Sequence, residues 1–188
     1  MQIAVYGGSF NPPHVSHAMV ASWLTWTGLV DQVWLVPVYR HAFEQTHDKK
    51  LIDFDTRMEW CRLMGAELGE QVVVSDIEST LPTPSYSIDT LKALQLKHPE
   101  HTFRLVVGAD VVSQLPQWKQ WSEIEKHFTP IIVGRVGYEG HRAGMVFPNV
   151  SSTDIRKRLR NGDLPKEWLL KSIADWFQQH PDVFLHSK

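Results

Sequence analysis

Five short runs rich in β-branched residues, at 2–6, 32–36, 71–75, 103–107 and 130–133, alternate with stretches of helical spacing, and this alternation restricts the chain more than any other feature. The helical stretches fall at about 15–27, stopped by Gly28, at 54–68, ended by Gly69, and at 87–97 and 122–127. Parallel strands need a crossover between them, and that crossover is right-handed, so the pattern predicts an α/β fold: a doubly wound parallel sheet with helices on both faces. Ligands of such a sheet sit beyond the carboxyl ends of its strands. The loops to inspect follow Tyr6, Val36, Val107 and Val133. Residues 151–188 read as a C-terminal helical segment, with one helix at 152–160 stopped by Asn161-Gly162 and a second at 165–179, appended to a single domain spanning 1–188.

The first loop, GGSFNPPHVSH, lies where strand one hands over to helix one. The opening amides of that helix have no intrahelical partner, and the positive end of the helix dipole stands behind them, which makes an anion seat. Gly7 and Gly8 let backbone come close to a phosphate, and Pro12 and Pro13 stiffen the entry to the helix. His14 and His17, three apart, are expected on one face, where they can donate hydrogen bonds, and charge when protonated, to phosphate oxygens. Zinc binding by this pair would need a third ligand, and spacing supplies none. A hydride-transfer fold is disfavoured because GxGxxG is absent and strand two ends in Val36-Pro37 without an acidic residue. Near the other end, SSTDIR starts a helix: Ser151 can cap it, Asp154 can close a capping box, and Arg156 brings a fork of donors suited to phosphate.

GGSFNPPHVSH resembles the GGxFxPxHxGH motif of the nucleotidyltransferase (HxGH) superfamily, with Ser16 where that family usually has Gly. VSSTDIR resembles its ISSTxIR motif. SYSIDTL and GADVVSQLPQW resemble the SYTxDTL and GADxxxxLPxW segments of the nicotinate (nicotinamide) mononucleotide adenylyltransferases, and the resemblance runs from residue 1 to about 184. It implies a Rossmann-like fold and transfer of AMP from ATP to a pyridine mononucleotide, acid or amide, with Mg²⁺ carried by the ATP phosphates rather than by a metal site of the protein. It implies catalytic roles for His14, His17, Lys50 and Arg156. ATP contacts would come from Gly7, Gly8, Ser9, Phe10, His14, His17, Gly108, Asp110, Ser152, Thr153 and Arg156, and mononucleotide contacts from Ser85, Tyr86, Trp118 and Arg135.

The residue chemistry agrees with parts of this. Asp110 can accept from ribose hydroxyls, Gly108 lets backbone approach a ribose or base, and Trp118 offers a flat face to an electron-poor pyridine ring. The loop at 38–53 departs from the Pro-rich, His-Lys-ended bacterial form and is closer to the Lys-Lys-Leu-then-Arg form of eukaryote-type relatives, which makes Lys49, Lys50 and Arg57 phosphate candidates, Lys50 first. His41 and His47 share that loop and are expected to be solvated, with a substrate contact as the other reading of His41.

A net charge of -2 gives no field that would gather nucleic acid or an anionic membrane, so neither is an expected partner, and phosphate must be held locally. One cysteine, Cys61, excludes an internal disulfide, and there is no signal-like or membrane-spanning apolar run; a cytoplasmic enzyme with small-molecule substrates is expected. Another transferase of the superfamily, such as one acting on phosphopantetheine, and a non-catalytic nucleotide-binding regulator are the alternatives.

Overall fold

The computed structural model describes residues 1–40, 51–138 and 145–184. Its strands are β1 (Gln2–Gly8), β2 (Gln32–Pro37), β3 (Val72–Val74), β4 (Thr102–Gly108), β5 (Ile131–Arg135) and β6 (Val146–Phe147). Its α-helices are α1 (Val15–Trp26), α2 (Phe54–Leu68), α3 (Ser87–Lys97), α4 (Trp121–Phe128), α5 (Ser152–Arg160) and α6 (Lys171–Gln179). The sheet order is β3-β2-β1-β4-β5-β6, every pairing parallel. Strand order reverses between β1 and β4, so the crevice for ligands opens where Gly7-Gly8 and Gly108 end those strands.

Alternation along the strands divides the core in two. Ala4, Val33, Leu35 and Val133 face α1, α2, α5 and α6; Ile3, Val5, Trp34, Leu105 and Val107 face α3 and α4. The C-terminal helices belong to the first of these clusters. Ile155, Ile173 and Phe177 are buried in it, and the ring of Trp60 on α2 meets Trp176 at 5.2 Å and Phe177 at 5.3 Å. No described helix is long and apolar enough to cross a membrane.

Three elements differ from the sequence expectation. The two-residue β6 extends the sheet beyond β5, pairing Gly134 with Val146 and Arg135 with Phe147; a run that short carries no periodicity to read. The expected helix at 165–179 is a 3₁₀ turn (Lys166–Trp168) followed by α6, because the adjacent Leu169 and Leu170 are both buried and both extended between them. The segment after β4, expected as a loop, is the 3₁₀ segment Ala109–Gln117, which tucks Ala109 and Leu115 into the core.

Candidate active site

The loop leaving β1 is shaped by Phe10. Its φ of 45° turns the chain back, so that its ring is buried edge-on to Tyr6 at 5.8 Å and 5.0 Å from the ring of His17. A side chain at Gly8 would press on that ring at 3.3 Å, whereas Gly7 faces open space. Phe10 therefore holds the loop from beneath, and it also lines the cleft above the loop. A positive φ at a bulky residue is costly and marks a turn the surrounding structure enforces.

His14 is the N-cap of α1, in extended conformation, and His17 is the third residue of the helix. The His14 main-chain N–H donates to Nδ1 of His17 at 3.2 Å, and the two rings stack with centroids 3.7 Å apart. Nδ1 of His17 is thus an acceptor, and the ring's proton is on Nε2. Burial, then the nearby Arg135, lower the pKa of His17 to about 3; burial, His17 and Arg135 hold His14 well below the ordinary histidine range. Both rings are neutral at physiological pH. The expectation that they lend positive charge is corrected for this state: they act as hydrogen-bonding groups.

Positive charge comes instead from two arginines. Arg135, at the end of β5, pairs with Asp110 at 3.1 Å and donates to the Val150 carbonyl at 2.8 Å. Arg156, buried on α5, donates to the Asn11 carbonyl at 2.6 Å and to the Thr153 hydroxyl at 3.3 Å. Its pKa is lowered by burial and by Arg160, but an arginine stays charged across the physiological range. The Ser152 hydroxyl donates to the Pro12 carbonyl at 2.8 Å, tying the start of α5 to the first loop. Ser151 caps α5 by accepting from the Thr153 N–H at 3.2 Å, and among the described residues Asp154 closes no box with it.

Asp110 is set by Gly108. Its Oδ1 lies 2.3 Å from where a Cβ on residue 108 would stand, so a side chain there would make the carboxylate shift from its present place, where Oδ2 pairs with Arg135. Ser16, the departure from the family motif, is buried and donates to the Pro148 carbonyl at 2.9 Å; its hydroxyl is accommodated by a partner across the fold.

A cleft in two lobes runs over these groups. His14, His17 and Arg135 line both lobes; Tyr6, Gly108 and Asp110 line one, of about 390 Å³, and Ser9, Ser152, Thr153 and Arg156 the other, of about 610 Å³. The fold thus gathers the proposed ATP residues from three distant segments of sequence. Lys50, with Lys49, His41 and His47, lies outside the described residues.

Of the mononucleotide residues, Arg135 sits in this cleft among the ATP residues. Ser85, Tyr86 and Trp118 do not line it. The Ser85 N–H donates to the Arg40 carbonyl at 2.9 Å, and the Lys119 ammonium stands 4.6 Å from the Tyr86 ring while pairing with Asp89 at 2.7 Å. Trp118 is half-buried, packed on the α3/α4 core and edge-on to Trp121 at 6.1 Å, so part of its area serves the core.

Two buried residues support the segments around the site in ways the sequence reading did not foresee. Arg57, read as a phosphate candidate, is buried and donates to the carbonyls of Ile52 at 2.9 Å and Ser9 at 3.0 Å; it holds the first loop from inside. Glu78 is buried where the Tyr39 N–H and the Thr90 hydroxyl each donate to it at 3.0 Å and the Ser85 hydroxyl also bonds to it. Burial raises its pKa, against the pull of these bonds and of Arg57. It fastens the segment after β2 to the segment before α3. An Asp-Ile-Glu run between strand and turn gives no sign of this.

Comparison with known proteins places the chain in a family. The cytidylyltransferase-like family matches residues 5–158. A probable nicotinate-nucleotide adenylyltransferase of Anaeromyxobacter sp. (strain K) is 40% identical over 164 residues, 86% of each chain. One of Myxococcus xanthus is 33% identical over 181 residues, 96% of this chain and 93% of that one. Among solved structures, the nicotinic acid mononucleotide adenylyltransferase of Plasmodium falciparum, complexed with NaAD, superposes with a TM-score of 0.78 at 19% identity, covering 97% of both chains, a likeness of fold.

Proposed function

The chain belongs to the cytidylyltransferase-like family and, within it, to the nicotinate-nucleotide adenylyltransferases, and from that membership we propose that it joins the AMP of ATP to nicotinate mononucleotide, giving deamido-NAD and pyrophosphate. The observation that carries this reading is the cleft itself: a neutral, stacked His14–His17 pair at the head of α1 faces Arg135 and Arg156 across the switch point of the sheet.

The mononucleotide 5′-phosphate attacks the α-phosphorus of ATP in line, and pyrophosphate leaves. The nucleophile is already ionised at neutral pH, so no general base is needed, and catalysis rests on positioning and on stabilising charge. Nε2–H of His17 donates to an oxygen of the transferring phosphate. Each guanidinium spends part of its fork on the protein and keeps further N–H donors for phosphate oxygens. The start of α5 gives the triphosphate a second helix terminus. Lys50 enters on the sequence motif alone. Gly108 and Asp110, which line one lobe of the cleft, are assigned to the adenosine; Ser85, Tyr86 and Trp118 enter for the pyridine ring on the sequence motif alone.

The donor set also bears on Mg²⁺. Among the described residues lining the cleft, Asp110 is the one carboxylate, and Arg135 engages it, so these residues form no metal cage. That suits Mg²⁺, which keeps waters and binds chiefly through substrate phosphates. It would arrive with ATP and offset the charge of the departing pyrophosphate.

The test is pyrophosphate release from ATP and Mg²⁺ with nicotinate or nicotinamide mononucleotide, the dinucleotide being identified by mass. Faster turnover (kcat/KM) of the acid supports the reading; preference for the amide changes the acceptor; release with neither, while ATP binds, rejects the proposed reaction.

A further inference from the structure

At the opposite end of β4 from the cleft, α3 gives way to the strand through His98-Pro99-Glu100-His101. Seven residues of strand separate this turn from Gly108, about 20 Å at the usual rise per residue. His98 caps the C-terminus of α3, its N–H bonding to the Leu94 carbonyl at 2.9 Å, and the His101 N–H returns to the His98 carbonyl at 3.1 Å. Gln95 holds the His101 carbonyl at 3.0 Å. The backbone of the turn is fixed at both histidines.

The rings are fixed as well. Trp34 of β2 meets both nearly edge to face, at 5.0 Å from His98 and 6.2 Å from His101, and the two imidazole planes lie within 5° of parallel with centroids 5.9 Å apart. Between them Glu100 Oε1 stands 3.8 Å from His98 Nδ1 and 3.4 Å from His101 Nε2, and the three atoms all lie within 4.8 Å of one another. Nδ1 of His101 is buried without a hydrogen-bond partner, so Nε2 is the nitrogen the ring presents outward.

We propose that His98, Glu100 and His101 form a site for one divalent transition-metal ion of the zinc class. A tetrahedral ion about 2.0–2.1 Å from each ligand sets them about 3.3–3.4 Å apart, close to the 3.4 and 3.8 Å that separate Glu100 Oε1 from the two ring nitrogens. Two neutral imidazoles and one carboxylate suit Zn²⁺, Ni²⁺ or Cu²⁺ better than Mg²⁺ or Ca²⁺, which take oxygen ligands. The negative end of the α3 dipole favours a cation at this place. Water completes the coordination on the exposed side. The bound ion clamps the α3–β4 turn and takes no part in the adenylyl transfer chemistry.

The test is calorimetric titration of the metal-stripped protein with Zn²⁺, in parallel with His98→Gln and Glu100→Gln. Both substitutions are at partly or fully exposed positions, and circular dichroism checks that the variants fold. The expected result is saturation at one equivalent in the parent chain, affinity lowered at least tenfold in each variant, and no competition from equimolar Mg²⁺. Co²⁺ in place of Zn²⁺ should give the visible absorption of a low-symmetry site in the parent and lose it in His98→Gln. Turnover should stay within twofold of the parent in both variants. Binding that fails to saturate at one equivalent, or that survives both substitutions undiminished, overturns the proposal.

Discussion

The main-chain N–H of His14 donates to Nδ1 of His17 at 3.2 Å, and this bond decides how the pair works. It fixes the tautomer of His17, leaves Nε2–H as the outward donor, and keeps a second proton off a ring that burial and Arg135 already disfavour as a cation. The histidines bring directed hydrogen bonds, and the arginines bring the charge.

Turnover should therefore show no loss on raising pH through 6.5, where an imidazolium donor would disappear. The remaining break, near pH 6, belongs to the acceptor phosphate. His17→Ala should lower kcat by about 10²–10³-fold, the usual loss for one such donor, and leave that break in place. A kcat–pH profile of both proteins checks this; a fall above pH 6.5 in the parent alone would assign the charge to the ring.

The same burial makes a prediction for stability. A histidine whose folded pKa is depressed, here to about 3 for His17, contributes stability that is complete above its unfolded pKa. Below about 6.5 the unfolded chain gains the proton and the fold does not, so stability falls with pH by up to about 1.4 kcal/mol per unit for each such ring. Urea unfolding between pH 6.5 and 4.5 should show a shallower loss in His17→Asn than in the parent. Equal slopes would mean that the ring titrates freely in the fold.

Gly108→Ala places a Cβ 2.3 Å from the present position of Asp110 Oδ1, so the carboxylate must shift and its pairing with Arg135 is disturbed. The expected effect is at least a tenfold lower kcat/KM for ATP, about 1.4 kcal/mol, with a melting temperature lowered by only a few degrees because the displaced group is a partly exposed side chain. Steady-state kinetics alongside a thermal melt separates the two.

Glu78 touches the acceptor side through Ser85 and the chain after β2 through Tyr39. Glu78→Gln keeps the shape but replaces one acceptor oxygen with a donor group, so one of the bonds must break. KM for the mononucleotide should rise severalfold while KM for ATP stays within about twofold, a loss near the ~1 kcal/mol of one hydrogen bond. Equal changes in both constants would make Glu78 a general stabiliser of the fold.

Much of the cleft was legible because its parts are local. A glycine loop at a strand end, an HxxH at a helix start and an S-x-x-D-I-R helix opening each carry their geometry within a few residues. What the sequence concealed is relational. Arg57 looks like any loop cation until Ser9 and Ile52 are brought to it, and nothing in the sequence pairs Arg135, grouped with the pyridine residues, with Asp110 of the proposed ATP set. The neutrality of the histidines depends on burial under segments more than a hundred residues away, such as the Pro148 strand end that Ser16 binds. β6 was too short to see, and helical spacing across 165–179 gave no sign of the extended Leu169-Leu170 step that breaks it.

That adenylyl transfer is performed by the neutral His14–His17 pair is tested by pyrophosphate formation by His14→Ala with saturating ATP, Mg²⁺ and nicotinate mononucleotide. Its kcat should fall more than tenfold, over about 1.4 kcal/mol, while ATP binds within a few-fold of the parent. A variant that keeps more than a tenth of the parental turnover would contradict it.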